Sequence, residues 1–297
     1  MLNRFANFFV CLLICCSFEG YAEIRELKGM DQVAPAVKDG DFVLFNVTEV
    51  LITSPYQLGS QAWRKYVREK APLWPKQPGF NIHDDLTLYV AKQIPQQNVE
   101  STTPSLIDAL QKRGVTVSAL TGRGLNEWYT TQAKGIDVLT HRQLQALKMD
   151  FTRTEPMFNR VALGALLDSH YRYGIFFNND REHGPFLHDV VQGLEKRPST
   201  VVVIDDKRDC LEPIEAAMKK LGVPFIGFLY TRATAESRAF NPMVANVQLE
   251  SLIFSDKTLT DAEATKIIEE QYVGTDPDQF FYKLLEKIYE KQKPIGY

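Results

Sequence analysis

FVLFNVTEVLI, residues 42–52, decides the fold. Its first five residues are apolar almost without a break and end on a polar Asn46. That is the pattern of a short strand covered on both faces, as in a parallel sheet. Working outward, the same pattern recurs. DFVLFNV (41–47), VTVSAL (115–120), GIFFN (174–178) and TVVVID (200–205) are short, β-branched or aromatic runs, and VPFIGFLY (223–230) repeats the style. Helices fall between them. Thr102-Thr103-Pro104 offers a cap with proline at the first helical position, Leu106, Ile107 and Leu110 make one apolar face, and Gly114 stops the segment. A second helix is expected from Asp209, with Glu212 as its capping-box partner. Leu211, Ile214, Met218 and Leu221 form its buried stripe, and Gly222 ends it. Strand, helix, strand in this order predicts an α/β fold: a doubly wound, mostly parallel, Rossmann-like sheet with helices on both faces.

Two stretches break that rhythm. Residues about 53–101 follow the first of these strands directly and contain two helix-like pieces, SQAWRKYVREK and DDLTLYVAKQI. So long an excursion reads as a helical cap over the carboxyl edge of the sheet, with Trp63, Tyr66 and Trp74 as its core. Residues about 125–172 read as a second, mostly polar helical insertion. The tail from Thr260 to Gln292 has helical spacing and is expected to pack against the core.

A chain of 297 residues suits one large domain with such insertions. Its net charge of −3 argues against nucleic acid as the main partner, since a phosphate-binding protein usually carries a basic face. Residues 1–22 read as a signal peptide: Arg4, then an apolar run from Phe8 to Cys16, then Gly20-Tyr21-Ala22 as a cleavage signal. The run is shorter than the roughly 20 residues of a membrane span. A lipoprotein signal would need a small residue before its cysteine, where Ile14 and Cys15 stand. The mature domain is then 23–297, periplasmic or secreted, with no membrane span. Of the four cysteines it keeps Cys210 alone, so it forms no internal disulfide.

Ligands of an open α/β sheet bind beyond the carboxyl ends of its strands. There stand Asn46 and Thr48, then Thr121 and Gly122, then His183 at the mouth of a helix, then Asp205 and Asp206. In order, FVLFNVTEVLI, VSALTGRG, HGPFL and VVVIDDKRDCLE resemble the four motifs of the haloacid dehalogenase superfamily. They are most similar to a secreted bacterial branch of unknown function related to acid phosphatases. The resemblance spans roughly Asp41 to Tyr230 and implies a phosphatase-type core. In that core one aspartate attacks phosphorus and binds magnesium, and a second is the general acid/base. A Thr or Ser and a Lys hold the phosphoryl group, and acidic residues after the fourth strand complete the metal site.

Mapped here, Asn46 and Thr48 stand where the two motif-one aspartates would. His183 replaces the lysine, Thr121 and Gly122 keep the phosphate loop, and Asp205 and Asp206 keep the acidic pair. A carboxamide is a far poorer nucleophile than a carboxylate, and a threonine hydroxyl cannot relay a proton near neutral pH. Asn46 also removes a charge that a hard cation wants, so any magnesium site is weak or vestigial. Glu49, next to Thr48, is expected to face elsewhere. The expectation is a catalytically impaired phosphatase relative serving as a secreted binding module. Its partner would be a phosphorylated small molecule or a protein. The alternative is a secreted phosphohydrolase in which Asp205 and Asp206 hold a divalent metal that activates water.

Overall fold

In the computed structural model the described residues are 22–74, 81–123, 135–154, 156, 170–179, 181–235 and 239–290. The expected signal lies outside them except for Ala22. Seven strands form one sheet in the order β1 (Ala22–Leu27), β9 (Phe225–Tyr230), β8 (Val201–Asp205), β2 (Phe42–Asn46), β5 (Thr116–Thr121), β7 (Ile175–Phe177) and β6 (Tyr171–Arg172). Every pairing is parallel except β6 with β7. The five apolar runs are thus strands of a mostly parallel sheet. Both edge strands escaped the sequence pattern. AEIREL and YR carry charges, because an edge is less buried than a centre. In consequence Ala22 opens β1, opposite Phe225, and the second insertion ends in strand rather than helix.

β2 lies between β5 and β8, with Phe45 opposite Ala119 on one side and Ile204 on the other. Its side chains alternate between two cores, as the pleat requires. Val43 and Phe45 meet Ile107 and Leu110 of α4 (Thr103–Lys112) and Leu144 of α5 (Ile136–Ala146). Phe42 and Leu44 meet Phe186 and Val190 of α6 (His183–Gln192), with Leu211, Ile214 and Met218 of α7 (Arg208–Leu221). Each such buried side chain contributes about 1.5–3 kcal/mol. The predicted stripe of α7 holds for Leu211, Ile214 and Met218, and Gly222 ends it at φ +62°. The predicted capping box does not form. The helix starts at Arg208, its cap is Lys207 with no side-chain bond, and Glu212 pairs instead with Arg208 at 3.8 Å.

The 53–101 excursion is closed at its base by a two-strand ribbon, β3 (Ile52–Thr53) antiparallel to β4 (Gln97–Asn98). Above it, α2 (Gln61–Lys70) and α3 (Ile82–Gln93) bury Trp63, Tyr66, Val67, Leu86 and Val90, and Trp74 joins them. The expectation for the tail is corrected here. Phe281, Leu284 and Leu285 of α11 (Pro277–Glu290) pack on this cap, not on the sheet. Between them lies α9 (Pro242–Ser255), which the sequence pattern did not reveal. PMVANVQLESLIFS lacks a polar face because the helix is enclosed on nearly all sides. Its buried Gln248 accepts from the Leu58 amide at 2.9 Å and donates to Asp261 at 2.8 Å. Thus the cap is composite, built from the insertion and the C-terminal helices. The second insertion contributes α5 to the sheet's cover, and residues 124–134 and 157–169 of it lie outside the described residues.

Glu100, at the far end of the cap insertion, ties sheet and insertion together. Its Oε2 accepts from the Met30 amide at 3.0 Å and the Tyr230 hydroxyl at 2.8 Å. Oε1 accepts from Thr102 at 2.8 Å, and Arg232 in α8 (Arg232–Ala235) lies 3.5 Å away. Burial alone would raise the carboxyl pKa, but these donors prevail and hold it below the ordinary 4.5. Glu100→Gln should therefore cost about 1–3 kcal/mol near neutral pH, the range for stranding buried hydrogen-bond partners. The wild-type advantage should be complete above the ordinary glutamate range and vanish as pH falls through the lowered folded value. Urea unfolding of both proteins across that range checks it.

Candidate functional site at the carboxyl edge of the sheet

The strand ends bring the expected residues to one edge. Asn46, last in β2, donates from Nδ2 to Oδ1 of Asp206 at 3.1 Å and to the Thr48 carbonyl at 3.2 Å. The other oxygen of Asp206 accepts from Gln61 Nε2 of α2, also at 3.1 Å. A carboxylate from the sheet is thereby bridged to the cap through two carboxamides. Glu49 turns away as expected, in the left-handed region at φ +63°. Its buried carboxylate accepts from Thr53 at 2.8 Å and pairs with Arg64 at 3.1 Å, so it supplies no spare acid.

Two cations lie in this region: Arg123, which the sequence places after the second strand with no role assigned, and Arg64, which it did not single out. Arg64 of α2 also donates to the Gly59 carbonyl at 2.7 Å. Burial lowers its proton affinity, opposed by the charges of Glu49 and Asp206. Arg123, two residues beyond Thr121, has the neutral partners Thr140 at 2.8 Å and Gln143 at 2.9 Å. Its pKa falls to about 10, first through burial and then through the nearby charge of Arg64. It stays protonated at neutral pH, as a cation held by neutral groups beside a second cation. The only sequence signal was Thr-Gly-Arg, a turn-like string. Arg64 sat in a cap helix whose inner face shows only after folding.

Thr121 is buried, and its hydroxyl accepts from the Arg123 amide at 3.3 Å, tightening the loop. Its carbonyl accepts from the Asn178 amide at 3.0 Å. Asn178, just past β7, lies with Nδ2 3.4 Å from His183 Nε2. His183 opens α6, whose cap residue Glu182 makes no side-chain bond to it. Gly184 follows because a β-carbon there would fall 2.4 Å from the Pro213 carbonyl oxygen. The glycine of HGPFL therefore lets α6 close on α7. An open cleft of about 480 Å³ lies here, lined by Gly122, Asn178, Arg181, His183, Asp209 and Pro213.

Asp205 and Asp206 play different parts. Asp206 meets Asn46 and the cap, whereas Asp205 is fully buried. One oxygen of Asp205 accepts from the Lys207 amide at 2.9 Å, and among the described residues no donor reaches the other. Burial, then the charge of Asp206, pushes the Asp205 carboxyl well above the ordinary range. Cys210, in the first turn of α7, is pushed up to about 12 by burial and then by Asp205. By itself it is a thiol, consistent with a packing residue and not a nucleophile. Ligand atoms of His183, Asp205 and Cys210 all lie within 4.8 Å of one another. Among the described residues no helix is long and apolar enough to cross a membrane.

Comparison with known proteins gives a family and one distant relative. The family described as "Protein of unknown function (DUF2608)" matches residues 24–265. A Chlamydia trachomatis serovar D (strain ATCC VR-885 / DSM 19411 / UW-3/Cx) protein named "Putative outer membrane protein" is 20% identical over 235 residues. The match covers 77% of this chain and 85% of that one. No solved structure matches.

The Asn46–Asp206 contact makes a direct prediction. Asn46→Asp replaces a donor by a second carboxylate, and like charges about 4 Å apart repel by about 4 kcal/mol near a protein surface. The variant should lose about 1–3 kcal/mol at neutral pH. It should recover toward wild type in acid, where one of the pair takes up a proton. Denaturant unfolding at both pH values reads the difference.

Proposed function

The chain belongs to the DUF2608 family, and on that premise we propose that it is an exported, non-catalytic relative of haloacid dehalogenase phosphatases. On this reading it binds a phosphorylated ligand between sheet and cap. One observation carries the proposal: Asn46 donates its carboxamide to Asp206 at 3.1 Å. In the phosphatases it resembles, a carboxylate at the first position would share a magnesium ion with the acidic residues of the fourth strand. Here the donor set does not fit magnesium. Asn46 supplies a neutral amide, and both oxygens of Asp206 already accept from carboxamides. A hard cation seeks anionic oxygen ligands, which Asn46 and the already bonded Asp206 do not offer.

The chemistry lost on one side leaves the binding side in place. Arg123, held by neutral partners next to Arg64, offers positive charge at this edge, and buried guanidinium groups hold phosphate oxygens through paired, charge-assisted hydrogen bonds. Gly122 and His183 line the neighbouring cleft. Thr48 offers a hydroxyl where an acid/base would be needed, so a bound phosphomonoester meets neither nucleophile nor proton relay. Export agrees with the apolar leader at residues 8–16. The name of the chlamydial relative supports an envelope or secreted setting.

Calorimetric titration with inorganic phosphate and a panel of phosphomonoesters, with a parallel turnover assay in magnesium, tests this reading. Binding without turnover is expected. Arg123→Met should weaken binding at least about 10-fold, the worth of one charged hydrogen bond. Asn46→Asp combined with Thr48→Asp should gain turnover. Robust hydrolysis by the unaltered protein, abolished by Asp206→Asn, would overturn the proposal in favour of a metal-dependent hydrolase.

A further inference from the structure

We infer that His183, Asp205 and Cys210 together bind one zinc-class divalent cation, at a place separate from the Asn46–Asp206 contact. The first argument is proximity, since their ligand atoms all lie within 4.8 Å of one another. A tetrahedral centre with bonds of about 2.0–2.3 Å needs donors roughly 3.3–3.8 Å apart, a closure of at most about 1.5 Å. The second is an orphaned atom. Asp205 is fully buried, and among the described residues its Oδ2 has no hydrogen-bond donor. Such an oxygen is costly to bury and is satisfied by a cation at the same point.

The third argument is rigidity. Asp205 ends a central strand, Cys210 lies in the first turn of α7, and His183 opens α6. The close approach of Gly184 to Pro213 locks these two helices together next to the two ligands they carry. Asn178, 3.4 Å from His183 Nε2, steadies the imidazole. The donor set also chooses the metal. One nitrogen, one sulfur and one carboxylate oxygen suit zinc, whereas magnesium wants oxygen alone. Three protein ligands leave a fourth position, and His183 borders the cleft with Gly122 and Asn178. A water or an anionic ligand oxygen completes the tetrahedron there.

The inference rests on these three side chains; it shares His183 with the phosphatase-like reading but does not need Asn46, Thr48 or Arg123, on which that reading depends. To isolate the thiol, Cys11, Cys15 and Cys16 are changed to serine, leaving Cys210 of the four cysteines. Cobalt(II) added to the metal-free protein should produce a thiolate-to-cobalt charge-transfer band that saturates near about one equivalent and is displaced by zinc. X-ray absorption of the zinc form should show one sulfur at about 2.3 Å. His183→Ala and Cys210→Ser should each weaken zinc binding by at least about 10-fold, the floor for disturbing a metal ligand or its supports. Arg123→Met, which probes the phosphate site, should leave the band intact. Absence of both the band and zinc–sulfur scattering in the otherwise unaltered protein overturns the inference, even if the ligand variants do not fold. Persistence of both after Cys210→Ser overturns it as well.

Discussion

A strand with neighbours on both edges and helices on both faces can expose only its ends, and β2 is such a strand. Its ladder runs to β5 and to β8, while Val43 and Phe45 feed one core and Phe42 and Leu44 the other. All these neighbours run parallel, so the loops after β2, β5, β7 and β8 emerge at the same edge. Asn46, Thr121, Asn178 and Asp205 meet because the sheet leaves them nowhere else to go.

The cap depends on this edge in turn. Gln61 and Arg64 descend from α2 to Asp206 and Glu49. The rest of the cap is held by its own core, in which Trp63 and Leu86 pack against α9 and α11. Nearly 150 residues separate the two halves of that core in the chain. The cap is thus fastened by its insertion ribbon, by Glu100 at its base and by the C-terminal helices, while its polar face covers the strand ends.

At the edge, charge is divided unevenly. Asp206 accepts from two carboxamides, Arg123 is held by neutral partners, and Asp205 is buried with one oxygen unserved. The Asp206 carboxylate is thus satisfied by the neutral donors Asn46 and Gln61. Arg64 is paired with Glu49 and Arg123 with the neutral Thr140 and Gln143, while among the described residues no donor reaches one oxygen of Asp205.

Much of the architecture was legible in the sequence alone. Five apolar runs determined the buried strands, because burial on both faces leaves no room for polar residues. Gly114 and Gly222 marked helix ends, since a left-handed turn favours glycine. The strand-end residues Asn46, Thr121, Asp205 and Asp206 followed from the same reading. The edge strands did not, because they carry charges, and α9 did not, because a fully enclosed helix has no polar face to mark its period. Only the tertiary structure decided that Asp206 meets Asn46 while a carboxylate oxygen of Asp205 lies within 4.8 Å of ligand atoms of His183 and Cys210. It also decided that Arg64 and Arg123 share one field, and that Lys207, not an Asp209 box, caps α7. These are contacts between groups tens to more than a hundred residues apart, or choices among local turns of similar energy, and packing selects among them in a way that local pattern does not record.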